Sequence, residues 1–150
     1  MMLNFEKNTA EAVTRIYALA LMVEGKVNEA RLRWIQRRVE NQGLSLHDVL
    51  RLVRDYEQCA MDMGKRTPRF FLSNERLPQF LVHACFNEID GDVMRLRMAK
   101  ELYGLLNTGG NATLKERLFL EAAVGYWGIN NLWHRWLLGH AEKSDLGVAA

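Results

Sequence analysis

The stretch Leu102-Tyr-Gly-Leu-Leu-Asn-Thr-Gly109-Gly110-Asn-Ala-Thr113-Leu-Lys-Glu116 decides the fold. It closes a helix predicted over 92–107, turns through Thr108-Gly-Gly-Asn-Ala112, and opens a new helix with a capping box. In that box Thr113 takes a backbone N–H of the new first turn, and Glu116 reaches back to the cap. The same punctuation recurs along the chain. A first helix over 5–23 carries Val13, Ile16, Tyr17, Ala20 and Leu21 at helical spacing and stops at Gly25. Asn28 caps a second, running to 42 with Leu32, Ile35 and Val39 inward and Gly43 as terminator. Ser45 and Asp48 form a capping box for a third, which Gly64 closes. Thr67-Pro68 starts a short fourth helix and Pro78 a fifth that ends near Gly91. Gly125 and Gly128 interrupt the helix begun at Thr113, and an eighth segment covers 130–138. Strand-like alternation is absent. The expectation is an all-α, single-domain bundle of seven to eight helices spanning 1–150.

Composition fits that reading and excludes others. A chain of 150 residues, 49% hydrophobic and 25% charged, is long enough for one ordinary core. A formal net charge of +2 creates no long-range field for a polyanion. Cys59 and Cys85 match no zinc or redox spacing and read as buried free thiols of a reducing compartment. Residues 1–7 lack the pattern of a signal peptide. The longest apolar run, 16–23, falls far short of the ~20 residues that cross a bilayer. A cytoplasmic location is expected.

The chain also shows a doubled plan of helix, tight glycine turn, capped helix and small terminator. The first half reads Tyr17-Ala-Leu-Ala-Leu-Met-Val-Glu24-Gly25-Lys-Val27-Asn-Glu29, followed by Asn-Gln-Gly43-Leu-Ser45. The second half is the opening stretch, ending in Trp127-Gly128-Ile129. This pattern resembles the TerB-like family, named from tellurite-resistance proteins, and more closely the TerB-like region of DjlA-type DnaJ-like cochaperones. The likeness spans 9–129 and includes the segment joining the halves around 69–81. It implies two pseudo-repeated halves and a protein-contact role in a stress- or envelope-associated system. The membrane anchor and J domain of the DjlA type are missing from these residues, so cochaperone activity is not carried over. The family's acidic turns have been linked to divalent cations, which need several oxygen ligands. That implies a cation site at Glu24, Glu29 and Glu116. Arg31 stands where one acid is expected, and Gly109 replaces the second turn aspartate.

Other constellations compete. The apolar and glycine spacing over 35–56 imitates a helix-turn-helix, and residues 31–54 hold Arg31, Arg33, Arg37, Arg38, Arg51 and Arg54 against Glu40 and Asp48. The outward face of the supposed recognition helix nevertheless carries Asp48, Asp55 and Asp62, which repel phosphates, and Arg51 is spaced to pair with Asp55. Trp34 lies off the inward face of the second helix, one turn from Arg37 and Arg38. Tryptophan beside arginine is a common protein-interface anchor, so these three are the candidate partner-binding residues. The alternatives are an indole lying along the surface under stacked guanidinium groups, or one tucked beneath a neighbouring helix. Ile129, Leu132, Trp133, Trp136 and Leu137 form one stripe opposite Asn130, Asn131, His134 and Arg135, which reads as docking onto the core. Catalysis has no constellation: His83 and Cys85 sit at i and i+2 and point apart. The reading is a non-enzymatic interaction module without a resident cofactor. Its partner is a protein, with a homodimer among the arrangements left open.

Overall fold

The computed structural model describes residues 7–23, 28–63 and 79–147, with side chains to position 58 in the second stretch and to position 140 in the third. Among these residues the chain is entirely helical. The order is α1 (Ala10–Met22), α2 (Glu29–Glu40), α3 (Leu46–Met63), α4 (Gln79–Asn87), α5 (Asp92–Leu106), α6 (Leu114–Trp127) and α7 (Asn130–Gly147). The expected helix at Thr67-Pro68, and Gly25 and Gly64, lie outside the described residues. No described helix is long and apolar enough to cross a membrane.

Local chemistry sets most boundaries. Asn28 Oδ1 accepts the N–H groups of Ala30 and Arg31 at 2.9 and 3.3 Å. Ser45 and Asp48 exchange reciprocal bonds, as do Thr113 and Glu116, so both predicted capping boxes form. Gly43 takes a φ of 79° and lets Leu44 N–H return to Val39 O at 2.9 Å, stopping α2. Three expectations change. Helix α1 begins at Ala10 instead of Phe5, because Thr9 caps it and Asn8, at φ 57°, turns away to bond the α4–α5 junction. Gly125 stays within α6, which ends only at the left-handed Gly128. Helix α7 runs through Gly139 to Gly147, well past the expected end near Leu138.

Helix α1 is the centre: every residue from Ala12 to Ala20 is buried, and it packs against α2, α3, α4 and α5. A helix apolar nearly all round is one surrounded by protein. The pair α5–α6 closes the other side, where Phe86 meets Phe119 and Trp127, and the Trp127 indole N–H donates to Phe86 O at 2.7 Å. An ion pair lies inside, Arg15 of α1 with Glu88 after α4. Burial raises the Glu88 carboxyl above its ordinary range while the Arg15 bond opposes the rise. Arg95 Nε and a terminal nitrogen donate to Ile89 O and Trp127 O, satisfying carbonyls at the ends of α4 and α6. Helix α7 docks by Ile129 and Trp133, with Asn130, Asn131, His134 and Arg135 outward, as its stripe predicts.

Candidate functional site

Helix α2 positions the candidate site. Ile35 and Val39 anchor it in the core, which turns the neighbouring Trp34 along the seam between α1 and α5. The indole meets Tyr17 edge-on at 5.8 Å, with ring planes 88° apart. Its far edge rests on Gly104, where a Cβ would lie 3.4 Å from the ring. Trp34 is therefore half-buried, matching the alternative in which the indole tucks beneath a neighbouring helix, and a Cβ at position 104 would just touch its edge. One turn on, the Arg38 guanidinium lies 4.7 Å over the Trp34 ring and 3.4 Å from Glu101. Arg37 is exposed and makes no ion pair with any described residue. It stands in the last turn of α2, where a cation also suits the helix dipole.

Arg38 forms the rim of a cleft of about 490 Å³ between α1, α5 and the end of α2. Ala10, Val13, Met94 and Met98 give it an apolar floor. Arg38, Arg97, Glu101, Tyr17, Asn41 and Gln42 supply the polar groups. The Tyr17 hydroxyl faces Glu101 at 3.4 Å, and burial, with the Glu101 charge behind it, pushes its pKa upward. It stays a protonated donor at any physiological pH. Arg97 has no hydrogen bond or ion pair with any described residue, and the side-chain amides of Asn41 and Gln42 have no described partner either. A concave site with an apolar floor and a few convergent polar groups is the usual form of a ligand pocket. Of the residues singled out from sequence, the structure brings Arg38 to this cleft, sets Trp34 behind it under the Arg38 guanidinium, and leaves Arg37 exposed on α2. Sequence reasoning missed Arg97 and Glu101, whose i,i+4 spacing on α5 was the available signal.

The acidic trio is not brought together. Glu24 lies outside the described residues. Glu29 is an exposed first-turn residue, 87% accessible and 3.9 Å from Arg33. Glu116 is buried, with one oxygen on the Thr113 N–H and the other on the Arg31 guanidinium. Arg31 also donates to Leu106 O at 2.7 Å and Thr108 O at 3.3 Å. It locks the N-terminus of α2 to the α5–α6 turn, where Asn28 would lie 2.9 Å from any Cβ on Gly109. Among the described residues, no three His, Cys, Asp or Glu side chains gather to hold a metal.

The remaining candidates separate as well. His83 stacks on Tyr126 with ring centroids 4.9 Å apart, whereas Cys85 is buried at 3.7 Å from the Tyr56 hydroxyl. Burial pushes the Cys85 thiol up to about 12, so it is not a nucleophile near neutral pH. On α3 the exposed face mixes His47, Arg51, Arg54, Asp55 and Gln58. Arg51 pairs with Asp48 at 3.5 Å, not with Asp55 as its spacing suggested. Carboxylates set among arginines oppose close approach to a phosphate backbone. Comparison with known proteins adds no relative: no family model, curated protein or solved structure matches the chain.

Proposed function

We propose that the chain is a non-enzymatic interaction module of TerB-like type, acting as a scaffold or sensor through the edge formed by α2 and the cleft beside it. The observation that carries this reading is Arg38, held between the Trp34 ring and Glu101 at the mouth of the cleft, with Arg37 alongside paired to no described residue. A guanidinium already fixed by its neighbours loses little freedom on binding, and arginine backed by an aromatic ring is a favoured contact group. The doubled plan draws support from Arg31 and Glu116. Each stands three residues after its N-cap, and the two meet across the halves. The same contact leaves Glu116 poorly placed to serve a divalent cation, because both its oxygens are engaged.

The test is affinity capture from the native cell with the full chain, the Arg37→Glu variant and the Trp34→Ala variant. Arg37→Glu changes an exposed residue with no described ion-pair partner, so its melting temperature and helix signal are expected to stay at wild-type values. Loss of a captured protein with that variant supports the reading. Equal capture by wild type and Arg37→Glu removes Arg37 from the contact, and equal capture by Trp34→Ala as well would overturn the α2 edge. The Trp34→Ala comparison is made below its melting transition, which falls by several degrees as the indole leaves the Gly104 seat.

A further inference from the structure

We infer that the α1–α2–α5 cleft is a binding site for one carboxylate carried on a short apolar body. The inference rests on the reading above for the face that binds and adds the chemistry of what is bound there. Three observations lead to it. The first is charge: Arg38 and Arg97 bring two positive charges to the cleft and Glu101 one negative, leaving a surplus of one. Glu101 is already held by Arg38 and Tyr17, so the surplus resides on Arg97, which no described side chain neutralises. A monoanion balances it. A phosphate dianion overshoots and faces Glu101, and an amine meets two guanidinium groups.

The second observation is geometry. The planar guanidinium presents paired donors that match the two oxygens of a carboxylate. The amides of Asn41 and Gln42, without described partners, stand at the same mouth to complete its hydrogen bonds. The third is the floor. Ala10 and Met94 are half-buried and present apolar atoms to the cleft, while Val13 and Met98 beside them are nearly inaccessible. Methionine adapts its shape to what lies against it. The volume of about 490 Å³ is that of a site for a small molecule or a terminal side chain. The carboxylate therefore belongs to a small aliphatic acid or to the apolar C-terminus of a partner chain. The chemistry is shared, and the probes tell the sources apart.

The experiment titrates the full chain, labelled at its methionine methyls, with hexanoate, with hexanamide, and with acetylated Ala-Ala-Leu-Leu bearing a free carboxyl terminus. Met94→Leu assigns the reporting signal. Hexanoate is expected to shift the Met94 resonance, and hexanamide to bind about tenfold more weakly for want of the charge-assisted pair. Arg97→Gln, at an exposed residue with no bond to any described residue, is expected to weaken hexanoate about fivefold or more with an unchanged melting temperature. Glu101→Gln is expected to act in the opposite direction and tighten it. Competition by the peptide assigns the carboxylate to a partner's C-terminus, and binding of hexanoate alone assigns it to a small acid; either supports the site. A Met94 signal that neither acid moves, or hexanamide binding as tightly as hexanoate, overturns it. Arg97 lies outside the set Trp34, Arg37 and Arg38, so the two readings fail separately. Lost capture by Arg37→Glu with no response to the acids overturns only the carboxylate, whereas hexanoate binding with capture indifferent to Arg37 and Trp34 overturns only the protein contact.

Discussion

At the scale of single residues, Asp48 shows how a local hydrogen bond becomes a pH dependence. Its carboxylate accepts from the Ser45 backbone N–H at 2.9 Å and from the Ser45 hydroxyl at 3.0 Å, and these bonds hold its pKa below the usual aspartate range, with Arg51 helping. A depressed folded-state value contributes stability above the ordinary aspartate pKa and loses it as pH falls through the lowered one. The first turn of α3 is thus expected to fray at the acid end of the carboxylate range, read as faster amide exchange at residues 46–49. In Ser45→Ala the backbone bond, the larger cause, persists. A carboxyl titration followed by NMR should move only part of the way back; a full return, or no movement, contradicts the assignment. Trp34 carries the opposite lesson about legibility. Its offset from Ile35 is plain in the helical period, but its half-burial comes from Tyr17 of α1 and Gly104 of α5, seventy positions away, and no local pattern announces which helices will flank it.

At the scale of elements, the contact between Arg31 and Glu116 welds the start of α2 to the start of α6. Both side chains are nearly inaccessible, at 12% and 1%. Removing one partner from such a pair leaves a buried charge without its counterpart. Glu116→Gln is expected to destabilise by about 3 kcal/mol in urea denaturation. Combined with Arg31→Met, the loss should fall short of the sum of the two single changes by about 1 kcal/mol or more. Additive losses would mean that the two residues act independently. The capping boxes were legible because each is written within four consecutive positions, and the structure forms both. The partner of Arg31 was not legible, since nothing between positions 31 and 116 ties their registers together before the helices pack. The same holds for the cleft: Arg38 was found from its neighbour Trp34, whereas Arg97 and Glu101 acquire meaning only once α5 lies beside α1 and α2.

At the scale of the whole molecule, the chain's beginning is clasped to its middle. Asn8 donates to Asp90 O at 3.0 Å, accepts from Asp90 N–H at 2.7 Å, and gives its own N–H to Glu88 O at 2.8 Å. Its φ of 57° is one that asparagine tolerates and alanine resists. Asn8→Ala is expected to cost about 2 kcal/mol, combining backbone strain with the lost bonds. Asn8→Gly, free of the strain, should cost about half as much. Thermal unfolding of the two variants separates the contributions, and equal stability of both with wild type would dismiss the clasp. A last consequence concerns light. Trp133 and Trp136 stack at 5.1 Å with planes 21° apart, and His140 lies over Trp136 at 4.8 Å. Indoles so close and so nearly parallel share their electronic excitation, adding an exciton band in the far ultraviolet beneath the helical minima. Helicity read from ellipticity alone will therefore be distorted, and replacing Trp136 with Leu will change the spectrum by more than any lost helix explains.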